Sequence, residues 1–192
     1  MKPDRLNAFT DGVVAIIITI MVLELPIPKG AGMAALKPEW FLFAVYALSF
    51  TKVGIYWSNH HNMLHAARKI DGRALLANLL LLFWMSLIPF VVRWVAEAGV
   101  TRDTVAAFGF TLLMCSVSYA LLKRALCAAD PDSPVARATA KDTKGVITLV
   151  AYVIALGAAF LLPIAAIAIY VAIAAMWLIP DKRFEKMTDE AR

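Results

Sequence analysis

The sequence predicts an all-α integral membrane protein with six transmembrane helices. Three observations predict it. Hydrophobic residues make up 61% of the 192-residue chain and charged residues only 17%, where soluble domains carry roughly 45–50% apolar residues. Mean hydropathy is +0.73, which excludes a disordered chain, a coiled coil and a soluble globular domain. The apolar residues fall in runs of about 20, the length that crosses a ~30 Å hydrocarbon core. The alternating segments of ~10 residues that a membrane barrel needs are absent.

Six spans are predicted, at about 5–25, 40–62, 73–94, 104–127, 143–160 and 162–179, forming one transmembrane domain over residues 1–192. Pro26 and Pro28 end the first span, and Pro38 precedes the second. Arg68, Lys69, Asp71 and Gly72 make the next turn, and Glu97, Gly99, Arg102 and Asp103 the one after it. Asp130, Pro131, Asp132, Ser133 and Pro134 sit in a polar loop over residues 128–144. Residues 145–179 carry no charge, and as one helix they would run about 52 Å, too long for a bilayer. Gly157 and Pro163 offer the break, so this stretch reads as a tight hairpin. Cys115 and Cys127 lie on one predicted helix, roughly 18 Å apart, too far to bridge. No zinc spacing exists.

Charge sets the orientation. Fourteen of the nineteen Lys and Arg fall at the N-terminus, in the 63–73 turn, in the 123–144 region and after residue 180. Lys29, Lys37, Arg93 and Arg102 fall on the other side, and Lys52 lies inside span two. The positive-inside rule then puts both termini in the cytoplasm of a multi-pass protein of the cell inner or plasma membrane. The net charge of +5 is thus a topology signal, and no nucleic-acid partner is expected. A secretory signal built on Lys2, Arg5 and Val13–Leu23 is the competing reading. Asp4 and Asp11 do not suit it, and its removal would leave five spans.

Span one carries the functional signal. Its uncharged stretch, Gly12 to Leu23, is only about 18 Å long, so a crossing has to draw in Asp11. An intramembrane carboxylate costs ~2.5–3.5 kcal/mol unless paired or wet; the plainer alternative is a helix cap by Thr10 or Asp11 at the interface. The topology brings Arg5, Asp11, His60, His61 and Asn78 to one depth near the cytoplasmic surface, where a cross-helix polar network would order the bundle. Ile16, Ile20 and Leu23 follow i, i+4, i+7 spacing with Thr19 beside them. Such a stripe is more often a lipid-facing or packing surface than a pore lining. Glu24 just beyond it would concentrate cations if it faced a pore mouth.

The string Arg5 to Leu25, RLNAFTDGVVAIIITIMVLEL, resembles the first helix of the lysosomal potassium channel family, whose motif Arg-x-x-x-Phe-Ser-Asp reads here Arg5, Phe9, Thr10, Asp11. Thr10 keeps the hydroxyl and adds a methyl. The run Ala15 to Glu24, the His60–His61 pair and Pro180–Asp181 also fit. The resemblance implies a homotetrameric, potassium-permeable cation channel with six spans per subunit and four copies of span one around the axis. It implies constrictions at Ile16, Thr19, Ile20 and Leu23. It also implies no carbonyl filter, and no Thr-Val-Gly-Tyr-Gly loop occurs in the chain. Hydrophobic rings can gate by dewetting. The expected partners are further copies of the chain, monovalent cations and the lipid bilayer; no cofactor and no catalytic or metal residue is expected.

Two other classes compete. His61 and His65 have the i, i+4 spacing of a metal pair, but three His in the whole chain are too few for a membrane di-iron enzyme. A small-substrate or ion-coupled carrier would show inverted repeats with broken helices, and no convincing internal repeat is present. Lys52 near mid-span asks for a partner that the sequence does not name. The Trp residues read as interface or packing aromatics. Ala151, Ala155 and Ala159 form a small-residue stripe that lets the last two spans approach closely.

Overall fold

The computed structural model describes residues 3–28, 30, 32–139 and 142–179, and every regular element among the described residues is helical. Lys2, Lys29, Lys141 and the tail from Pro180 and Asp181 onward, all used in the charge count or the resemblance, lie outside the described residues.

Helix α1 runs Pro3–Leu23. It buries one stripe, Leu6, Thr10, Val14, Ile17 and Met21, at i, i+4 and i+3 steps. A 3-10 segment over Met33–Glu39 leads into α2, Trp40–His65, which runs three residues past the expected end at 62. The third apolar run is two helices, not one. Helix α3 spans Gly72–Ser86 and α4 spans Ile88–Ala98, with a break at Leu87. The cause is Pro89 in the first turn of α4: it has no N–H to give the preceding turn, and its ring disfavours helix one turn back. The Asp71 side chain caps α3 by accepting from the Ala74 N–H at 2.9 Å. That bond is the chief reason the Asp71 carboxyl titrates below its ordinary range.

Helix α5, Arg102–Ala129, starts from a reciprocal capping box between Thr101 and Thr104. The polar 128–144 loop holds one short helix, α6 (Pro134–Thr139), which the sequence reading left as loop. Pro134 sits at its first position, Ser133 accepts from the Ala136 N–H, and Val135 is fully buried beneath it. Helix α7 covers Thr143–Leu161 and α8 covers Pro163–Leu178. The turn between them is at Leu162–Pro163; α7 continues through Gly157 without a break.

Among the described residues, five helical stretches are long and apolar enough to cross a membrane: α1, α2, α3 with α4, α5 and α7. Helix α8 is apolar but has 16 residues. Helix α5 is the hub, packing on α3, α4, α7 and α8, while α1 rests on α2, α3 and α4. Where lipid replaces water, helices associate mainly by close packing and interhelical hydrogen bonds. The second half of the chain uses the first device. Ala155, Ala159 and Ala166 are fully buried. Gly109 of α5 faces Tyr170 of α8, whose hydroxyl donates to the Val105 carbonyl at 3.2 Å.

Candidate functional site

Helix α1 has two unlike faces. On the inward face, Thr10 is 1% exposed and is held by a relay through two other helices. His60 Nε2 of α2 donates to Asn78 Oδ1 of α3 at 2.6 Å, and Asn78 Nδ2 donates to Thr10 Oγ1 at 3.1 Å. The amide oxygen can only accept, so this relay fixes the proton on Nε2. The relay joins three buried polar side chains where an unpaired one would be costly, though the His60 Nδ1 is left without a hydrogen bond.

Beside this relay, the Asp11 carboxylate accepts from the Trp57 indole N–H at 2.8 Å. His61 packs on Trp57 with ring centroids 6.0 Å apart, and His65 stacks on His61 at 6.1 Å. Thr10, Asp11, His60, His61 and Asn78 therefore occupy one level of the bundle. Arg5 does not join them. It is exposed, on the same side of α1 as Phe9, and forms no ion pair among the described residues. Trp57, read from sequence as an interface aromatic, is the partner that reasoning missed. Its signal is its place one turn before His60 and His61.

On the outward face, Ile16 is 58% exposed, Ile20 40% and Leu23 79%, with Thr19 among them. The Thr19 hydroxyl donates to the Ile16 carbonyl at 2.9 Å, so its hydrogen is spent on its own helix. Ile17 between them is buried and Ile18 is half-buried against the core. Glu24 lies past the stripe and is turned toward α4. There Arg93 pairs with Glu24 at 3.0 Å and with Glu97 at 2.9 Å. Arg93 thus offsets the acidic charge that Glu24 was expected to present, leaving the three groups with one net negative charge.

Away from α1, Lys52 is 2% exposed within the bundle. Its ammonium lies 5.7 Å from the Tyr56 ring centre and 5.3 Å from that of Tyr152, which supplies cation–π contact. No group of three or more His, Cys, Asp or Glu suited to a metal occurs among the described residues.

The family model described as the endosomal/lysosomal potassium channel TMEM175 matches residues 5–89. A potassium channel of Chryseobacterium sp. (strain P1-3) is 41% identical over 191 residues, covering 99% of this chain and all of the relative. A potassium channel of Streptomyces collinus is 34% identical over 149 residues, covering 70% of this chain and 72% of the relative. Among solved structures, the crystal structure of a lysosomal potassium-selective channel TMEM175 homolog from Chamaesiphon minutus matches with a TM-score of 0.77. It covers 92% of this chain and 96% of its own at 21% identity, a likeness of fold.

Proposed function

The chain belongs to the endosomal/lysosomal potassium channel TMEM175 family, and on that premise we propose that it is a potassium-permeable cation channel whose conduction path is lined by α1. Four copies surround an axis, each with six crossings and both termini in the cytoplasm of the inner or plasma membrane. Ile16, Thr19, Ile20 and Leu23 form successive rings, with no carbonyl filter. The observation that carries this reading is the asymmetry of α1. Its inner face is fixed by the Thr10–Asn78–His60 relay and by Asp11–Trp57, so a defined aliphatic stripe is left facing outward.

The mechanism is dehydration. A ring of branched aliphatic side chains offers water no hydrogen bonds and passes an ion only as part of its hydration shell is shed or squeezed. Potassium holds that shell less tightly than sodium, so the ring penalises sodium more. The resulting preference is modest beside that of a carbonyl-lined filter. At the outer end, Glu24 and Glu97 flank Arg93 and give a weakly cation-attracting mouth.

Planar-bilayer recording under bi-ionic potassium/sodium conditions tests this. Ile16→Asn and Leu23→Asn hydrate the rings, so conductance rises and the reversal potential moves toward sodium. Ile18→Asn, on a half-buried flank, leaves the reversal potential unchanged. The opposite pattern, with Ile18→Asn alone shifting it, defeats the assignment. Flux that saturates with substrate and stays slow would favour the carrier. The topology has its own check: an Asp132→Cys label accessible to an impermeant reagent from outside intact cells overturns it.

A further inference from the structure

The α1 stripe leaves a second feature unused. A cavity of 690 Å³ lies between α2, α5, α6, α7 and α8; it shares α2 with the α1 network, but no residue of α1, α3 or α4 lines it. Along α2 it is lined by Lys52, Ile55, Tyr56 and Asn59, and along α5 by a face running from Ser116 to Arg124 and Cys127. Those spacings place the Lys52 ammonium at the deep end, about halfway along both helices. The shallow end is where α5 finishes and α7 begins. Lys123, paired with Asp142, and the exposed Arg124 stand there.

Lys52 is a buried cation with no carboxylate beside it among the described residues; its neighbours are two tyrosine rings. Ionisable residues at such depth face water-filled cavities or substrates and pair with an opposite charge. Near the floor, the Tyr56 and Ser116 hydroxyls bond each other at 2.6 Å, which leaves one hydroxyl hydrogen at most for a ligand. The walls above are Ile55, Val146 and Leu149 with the aromatic faces of Tyr119 and Trp177.

We infer that this cavity binds a small organic monoanion, a carboxylate seated on Lys52 with its apolar body against Tyr119 and Trp177. A single deep ammonium matches one negative charge and leaves a phosphate dianion half neutralised. The volume falls within the roughly 300–1,000 Å³ range of small-molecule sites and exceeds what one inorganic ion fills. Cations at the mouth favour entry of an anion over that of a potassium ion.

The test is binding to the purified full chain in detergent, followed by thermal shift and calorimetry. The probes are acetate, butyrate, benzoate and octanoate, each beside its neutral amide, together with inorganic phosphate. At least one carboxylate binds about ten-fold or more tighter than its amide. Lys52→Met abolishes that preference, and Lys52→Arg keeps it. Should Lys52→Met fail to fold, Ala120→Trp decides: it fills the cavity from the α5 wall without touching the charge and removes carboxylate binding. The inference falls if no carboxylate outbinds its amide, if binding survives Ala120→Trp, or if phosphate binds as well as the best carboxylate.

Discussion

The two halves of the molecule hold their helices by different physics. In the first half, α1 to α4, polar side chains reach across helices: Thr10 to Asn78 to His60, Asp11 to Trp57, Glu24 to Arg93. In the second half, Tyr170 and Trp177 also reach across, to the Val105 carbonyl and the Thr148 hydroxyl, but the small hydroxyls bond the preceding turn of their own helix. Thr111 donates to the Ala107 carbonyl, Ser118 to that of Met114 and Thr148 to that of Lys144. There the fit comes from small residues, with Gly109, Ala155, Ala159 and Ala166 letting backbones approach. Hydrogen bonds between helices are directional and fix rotation about the helix axis; small-residue packing fixes distance. Rotation is what the first half needs, because the outward side of α1 depends on which side is tied down.

The comparison can be broken most strongly at Asn78. Asn78→Ala strips Thr10 and His60 of their shared partner in a buried layer, and the expected loss is about 3 kcal/mol. It reads out in SDS-titrated unfolding from mixed micelles, with assembly weakened before the single-channel reversal potential changes. An unchanged unfolding midpoint would mean that the relay does not hold α1. Next comes the packing half. In Gly109→Ala a methyl overlaps the Tyr170 hydroxyl, and prising α5 from α8 costs about 2 kcal/mol; a neutral result in the same titration would remove close approach as the organising device.

Trp57→Phe sharpens the first half at lower cost. It removes the indole N–H from Asp11 at a half-exposed site, for about 1 kcal/mol, and Asp11→Ala should cost a similar amount because it orphans the same bond from the other side. A double-mutant cycle checks that the two are not additive. The smallest effect is Thr111→Val, below about 0.5 kcal/mol, since that hydroxyl serves only its own helix.

Much of this division was legible in the sequence, and the parts that were not have a common cause. The charge count makes neighbouring spans antiparallel, and that alone sets Arg5, Asp11, His60, His61 and Asn78 near one depth. Depth is not azimuth, however. Arg5 lies more than a turn before Asp11, on another side of α1. Trp57 reads as an interface or packing aromatic, and nothing in its spacing aims its indole N–H at Asp11. The Glu24–Arg93 pair joins residues 69 positions apart; the topology put both on one side, yet nothing in the spacing aimed them at each other. Lys52 reads as a mid-span cation with no partner named; its two ring neighbours, Tyr56 and Tyr152, meet it only in the fold, Tyr152 from a helix a hundred residues on. The break at Leu87 follows from Pro89, although apolarity continues through it.

The 16 residues of α8 have a mechanical consequence. A helix of that length is about 24 Å long, several ångströms short of a ~30 Å hydrocarbon layer, while its neighbours α5 and α7 are longer. If α8 is the sixth crossing proposed above, lipid bordering it must thin or its ends must sink, and either costs a fraction of a kcal/mol per ångström of mismatch. Acyl-chain length thereby becomes a force on one flank of the subunit. That force grows in thicker bilayers and bears on the α5–α8 contact at Gly109 and Tyr170, the place where the packing has least room to give.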